Sequence, residues 1–289
     1  MKKIWLSIVT VVLCMPGWLQ AALTIEITQG IEGAVPIAVV PFATIGQPAP
    51  ENVAQIIAAD LARSGRFAPT AEQDLIARPS EVAQVRFQDW RTLGVDSLVI
   101  GKVESLAGGQ YRVQFRVFDV FRARQLTGYS LPASADNLRH VAHRIADIIY
   151  EQLTGEPGAF ATRIAYVISE SRNGEKQYQL QLADSDGYNP STLLTSQQPL
   201  MSPAWSPDGN SLAYVAFENV GTAVYAQELA TGVRRRVSAR PGVNGAPAWS
   251  PDGQRLAFHR VVSGTTEIFT INVNGTGLVR LTNNTANDD

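Results

Sequence analysis

The chain has 289 residues, with 24 Lys or Arg against 26 Asp or Glu and a formal net charge of −2. That balance excludes the basic footprint of a nucleic-acid binder, and 45% apolar residues are ample for a packed core. A single cysteine, Cys14, excludes a disulfide framework.

Residues 1–21 read as an export signal. Lys2 and Lys3 form a positive start, Ile4 to Met15 is an apolar run, Pro16-Gly17 breaks it, and Leu19-Gln20-Ala21 ends on a small residue. The run is shorter than the roughly 20 residues a transmembrane helix needs. Leu13 stands before Cys14 where a lipid-modified cysteine has a small residue, so Cys14 belongs to the apolar run. With the signal removed the chain keeps no cysteine, which suits a periplasmic protein whose fold is independent of disulfides.

In residues 22–30, Leu23, Ile25 and Ile27 alternate with Thr24, Glu26 and Thr28. Two readings stand: the first strand of the following domain, or a free segment that adds as a strand to a partner. Residues 31–154 read as a small α/β domain, a mixed sheet with two helices packed on it. Pro36 to Phe42 is an apolar strand, and Ser97 to Val103, Tyr111 to Val120 and Gln125 to Ser130 follow as further strands. Pro50 to Ser64 carries Val53, Ile56, Ile57 and Leu61 at helical spacing and stops at Gly65. Ala135 to Leu153 is the second helix, with Leu138, Val141, Ile145, Ile148 and Ile149 on one face and Asp136 as its expected cap. Residues 155–160, with Gly155, Pro157 and Gly158, read as a linker.

Residues 161–289 repeat. Pro203-Ala204-Trp205-Ser206-Pro207-Asp208-Gly209 recurs as Pro247-Ala248-Trp249-Ser250-Pro251-Asp252-Gly253, a period of about 44 residues that marks β-propeller blades. Within one unit a Ser-Pro-Asp-Gly turn joins strands expected at Pro203 to Trp205, Leu212 to Phe217, Ala223 to Leu229 and Arg234 to Val237. Ile164-Ala165-Tyr166-Val167 opens an earlier copy that lacks the Trp-Ser-Pro-Asp-Gly strand. Propellers have roughly four to eight blades. Fewer than three are visible, so the chain is expected to be part of a longer protein with a truncated propeller. Trp205 and Trp249 are expected to pack between successive blades.

Motifs for chemistry are missing from the sequence: it holds no Gly-x-Ser-x-Gly elbow, P-loop or Gly-x-Gly-x-x-Gly. His140 and His143, three apart on a helix, read as a solvated face rather than a metal pair. His259 reads as strand filler. Asp184-Ser185-Asp186-Gly187 lacks the spacing of a calcium loop and reads as a hairpin turn. Neither catalytic residues, metal ligands nor cofactors are expected.

Pro36-Ile37-Ala38-Val39-Val40-Pro41-Phe42, Ala58 to Phe67, Thr162 to Val167, Pro199 to Gly209 and Asn244-Gly245-Ala246-Pro247 carry a resemblance to the TolB family of the bacterial Tol–Pal system. The resemblance implies an α/β domain followed by a six-bladed propeller, in a non-enzymatic periplasmic adaptor. It implies Pal lipoprotein as the propeller's partner, with colicins exploiting the same surface, and TolA as the partner of the segment after the signal. Such a protein contacts membranes only through its partners, and supports outer-membrane integrity and constriction at cell division. Topology then places the Pal surface on loops entering each inner strand, Met201-Ser202-Pro203 and Asn244-Gly245-Ala246-Pro247, where small residues would let a partner's backbone approach. Leu23, Ile25 and Ile27 would face TolA. The alternative is the propeller of a prolyl-oligopeptidase-like serine peptidase whose hydrolase domain lies beyond the visible chain.

Overall fold

A computed structural model describes residues 33–172, 174–218, 221–238 and 244–288. The export signal and the 22–30 segment, with Leu23, Ile25 and Ile27, lie outside the described residues. Among the described residues no helix is long and apolar enough to cross a membrane.

The amino-terminal domain is one mixed sheet of six strands: β1 (Val35–Val39), β2 (Ala43–Ile45), β3 (Phe67–Pro69), β4 (Ser97–Ser105), β5 (Gln110–Asp119) and β6 (Arg124–Ser134). The order is β3-β1-β4-β5-β6, with β2 also on β4. β1 runs parallel to β3 and β4, and β4, β5 and β6 form an antiparallel meander. β1 is covered on both faces, which is why its sequence is a continuous apolar run. Ile37 and Val39 join the core beneath α1 (Val53–Arg63) and α3 (Leu138–Thr154). Ala38 and Val40 face the opposite core, plugged by Trp90 of α2 (Phe87–Thr92).

Helix ends follow local chemistry. The Asn52 side chain accepts the Gln55 amide at 3.2 Å and starts α1. Gly65, at φ +69°, lets the chain leave it. α3 starts at Leu138 rather than at Ala135, because Asn137 accepts the Ser134 amide at 2.7 Å and holds a turn there. Asn137, not Asp136, occupies the cap. Gly155, left-handed at φ 78°, closes it with its amide on the Glu151 carbonyl at 2.8 Å. His140 is exposed, but His143 is 1% exposed, so the two do not share a solvated face.

α3 also anchors the connection onward. Asp147 accepts the amides of Phe160 at 2.7 Å and Ala161 at 3.1 Å. A Cβ on Gly158 would stand 2.4 Å from the same carboxylate, so the close approach requires glycine.

Antiparallel sheets stacked as propeller blades follow. The first is three-stranded: β7 (Arg163–Arg172), β8 (Glu175–Asp184) and β9 (Ser191–Ser196). The second holds β10 (Leu200–Trp205), β11 (Ser211–Glu218), β12 (Gly221–Glu228) and β13 (Arg234–Ser238). The third holds β14 (Asn244–Trp249), β15 (Arg255–Val262), β16 (Thr265–Asn272) and β17 (Val279–Arg280). Leu180, Leu182, Leu200, Leu212, Tyr214 and Ala216 form the core between the first two blades, with Trp205 packed against it. Ala213, Val224, Val237, Leu256, Phe258 and Phe269 form the next, with Trp249 against it. The Trp249 indole donates to the Ala204 carbonyl of the preceding blade at 3.0 Å. Tyr214 is fully buried and donates to Gln227 at 2.8 Å. Burial pushes its hydroxyl up to about 12.

Candidate partner-binding surface

The two mouths of the stacked blades differ in construction. One is made of the Ser-Pro-Asp-Gly turns. Asp208 Oδ1 accepts the Ser206 hydroxyl at 2.6 Å and the Asn210 amide at 3.0 Å, and Gly209 takes φ 68°. Ser250, Asp252 and Gly253 repeat the pattern. The serine hydroxyls and following amides hold both carboxyls below their ordinary range. These turns are self-satisfied and nearly identical, which suits a scaffold.

The other mouth carries the sequence-predicted residues, which lie inside β10 and β14 rather than in loops. Pairing with β11 runs Met201↔Val215 and then Ala204↔Ala213, so Ser202-Pro203 oppose the single residue Tyr214. In β14 the pairs are Gly245↔His259 and Ala248↔Ala257, so Ala246-Pro247 oppose Phe258. Each is a β-bulge of two residues against one. Proline has no amide to lose from the ladder there. The residue before it is left-handed, Ser202 at φ 50° and Ala246 at φ 46°, although neither is glycine. Such backbone costs on the order of 1–3 kcal/mol and persists where surrounding structure over-determines it, as at ligand clamps.

The seven residues separate by exposure. Met201, Ser202 and Ala246 are exposed and Pro203 is half-buried. Asn244, Gly245 and Pro247 are buried, a correction to the expected loop. Asn244 is 0% exposed. Its Nδ2 donates to the Thr222 carbonyl at 2.8 Å, while the Thr222 hydroxyl donates to the Asn244 carbonyl at 2.8 Å and accepts its amide at 2.5 Å. It therefore ties the third blade to the β11–β12 hairpin of the second. Gly245 has an internal reason to be small: a Cβ there would stand 2.3 Å from His259 Nε2. His259, read as filler, is the residue that fixes this glycine.

Sequence reasoning missed Phe217. It is 37% exposed, and its amide donates to the Pro199 carbonyl at 2.9 Å. The β10–β11 register sets it on the same sheet face as Met201, which is 49% exposed. The signal was available, since an apolar residue continues β11 beyond its buried stretch. Together Met201, Phe217, Ser202 and Ala246 offer apolar and small side chains with strained backbone between them. That arrangement suits protein docking and contains no nucleophile with a neighbouring base.

Comparison with known proteins gives a consistent result over both parts of the chain. The family model described as TolB amino-terminal domain matches residues 23–126, and that described as TolB beta propeller domain matches residues 150–289. The Tol-Pal system protein TolB of Nitrosococcus oceani is 53% identical over 251 residues, covering 84% of this chain and 58% of that protein. Its namesake in Methylococcus capsulatus is 48% identical over 242 residues, covering 84% and 56%. The crystal structure of TolB from Acinetobacter baumannii superposes with a TM-score of 0.79 at 36% identity, covering 89% of this chain and 63% of that one. The chain thus spans between half and two thirds of the length of these relatives.

Proposed function

The chain belongs to the TolB family of the Tol-Pal system, and from that premise we propose that it is a periplasmic adaptor that binds Pal on the bulged mouth of its propeller. The observation that carries this reading is the repeated bulge. Two consecutive blades hold Ser202 and Ala246 in the same left-handed conformation, both exposed, although the αL region is costly for residues with a Cβ. In the Ser-Pro-Asp-Gly turns at the other mouth, only the glycines, Gly209 and Gly253, take positive φ. Met201, Ser202, Pro203, Ala246 and the missed Phe217 make the direct contacts, while Asn244, Gly245 and Pro247 hold the bulge beneath them. Colicins would compete for this surface. The 22–30 segment, through Leu23, Ile25 and Ile27, engages TolA by strand addition, and through these partners the protein supports outer-membrane integrity and constriction at division.

Calorimetric titration with the periplasmic domain of Pal tests the reading. Ala246→Arg places a bulky charge in the contact and should weaken binding by several kcal/mol, with an unchanged melting temperature. Gln254→Arg, beside the opposite turn, should bind normally. Equal affinity of the two variants would move the site elsewhere.

A further inference from the structure

The junction between the amino-terminal domain and the first blade buries charged groups that the docking surface does not use. The His143 side chain, on α3, is 2% exposed, and its Nδ1 lies 2.6 Å from Asp60 Oδ2 on α1. Asp60 is itself buried and also pairs with Arg63. This contact calls for a proton on Nδ1, so that in the neutral ring the lone pair lies on Nε2. Nε2 is buried, has no hydrogen-bond partner, and points at the β8–β9 turn, where Asp186 Oδ2 stands 3.9 Å away. One donor atom each from His143, Asp184 and Asp186 lies within 4.8 Å of the other two. Arg139 pairs with both carboxylates but gives Nε2 no donor, and a buried lone pair facing carboxylates is unfavourable unless a cation is shared between them.

We propose that His143 Nε2, Asp184 and Asp186 form a zinc site that clips the first blade onto the amino-terminal domain. One imidazole nitrogen and two carboxylates are a donor set for a borderline divalent ion, whereas calcium and magnesium take oxygen alone. The Asp60–His143 pair supplies the carboxylate that orients a metal-ligating imidazole. Tetrahedral ligands at about 2.0–2.1 Å stand roughly 3.3 Å apart, so the donors, within 4.8 Å of one another, close by up to about 1.5 Å on binding. Asp184, 33% exposed, has room to move.

Charge favours the ion. Asp60, Asp184, Asp186 and Glu51 face Arg63 and Arg139, which leaves an excess of two negative charges for a divalent cation to neutralise. Arg139 shares Asp186. It keeps other partners when the ion takes that carboxylate: Glu51 at 3.6 Å and the Tyr188 ring, 3.9 Å from its centroid.

The experiment strips the full chain with EDTA, titrates Zn²⁺ against a chromophoric chelator, and repeats the titration with Co²⁺ as a coloured probe. The expected result is one Zn²⁺ per chain, a Co²⁺ d–d band, and a melting temperature raised by Zn²⁺. Binding should fall at least tenfold in His143→Gln and Asp184→Asn, and about 10–100-fold in Asp60→Asn. His140→Gln, on the exposed side of the same helix, should bind as the parent does. Asp184→Asn alters a partly exposed group, so it reads the site even where His143→Gln fails to fold. No stoichiometric uptake, or uptake undiminished in Asp184→Asn, would overturn the proposal. So would a junction stabilised by lowering pH from about 8 to 6 with EDTA present and no zinc taken up, since the shared cation would then be a proton.

Discussion

Replacing Asn244 by Ala distinguishes a structural tie from a contact residue. The side chain is 0% exposed and donates to the Thr222 carbonyl at 2.8 Å. Truncation removes the donation to the Thr222 carbonyl, worth about 1 kcal/mol net, together with the longer bond from the Ser238 hydroxyl at 3.4 Å, and strands a buried carbonyl, which costs about 1–3 kcal/mol. The backbone exchange between Asn244 and the Thr222 hydroxyl survives, because it uses no atom of the asparagine side chain. The net cost should therefore be about 2 kcal/mol, a fall of roughly 4–8 °C in melting temperature for a chain of this size. Differential scanning calorimetry measures it, beside a Pal titration at a temperature where both proteins are folded. The variant should lose stability and keep most of its affinity. A variant that melts normally but no longer binds Pal would refute the reasoning, because Asn244 would then be spending its hydrogen bonds on the partner.

Other outcomes follow from the same geometry. Gly245→Ala should cost about 1–3 kcal/mol by overpacking against His259; a second change, His259→Ala, should recover most of the loss in a double-mutant cycle, and additive costs would contradict the contact. Trp249→Ala should cost about 3 kcal/mol, the low end for a half-buried tryptophan, and Trp249→Phe about 1 kcal/mol for the lost bond to Ala204; a urea titration reads both. Asp208 and Asp252 are held below their ordinary range in the folded chain, so their contribution is present above the unfolded value of about 3.9 and is lost as pH falls through the folded one; the double Asn variant should show a shallower loss of stability below about pH 4, and an unchanged acid limb would refute the assignment. Deleting residues 22–30 should abolish TolA binding in a pull-down and spare Pal; retained TolA binding would reduce the segment to a structural strand.

The blades were legible because their signals are local. Pro-Asp-Gly fixes a turn through three adjacent residues, and the alternation after it fixes a strand. The long helices were legible from spacing, though α3 was placed three residues too early, because the turn that delays it rests on the Ser134–Asn137 hydrogen bond, which spacing does not reveal. The bulges were not read, yet the clue was present: Pro203 and Pro247 stand inside segments that otherwise behave as paired strands, and a proline there implies a bulge. Read as loops, they gave no sign that Thr222 holds Asn244 and that His259 packs against Gly245 within the chain. α2 was missed because six residues carry too little periodicity to be seen, although Trp90 makes it the plug of the second core. The junction at His143 was invisible in sequence. It unites residues 60, 143 and 186, and only the fold brings those together.

The proposed function puts the partner on the bulged mouth and not on the turn mouth. Amide hydrogen exchange with and without the periplasmic domain of Pal tests it most directly, because it reports every segment at once. Docking on the bulged mouth should slow exchange in peptides spanning residues 199–205, 215–222 and 244–249 and leave residues 206–211 and 250–255 unchanged. Protection confined to the Ser-Pro-Asp-Gly turns, with the bulged strands exchanging as they do alone, would contradict it.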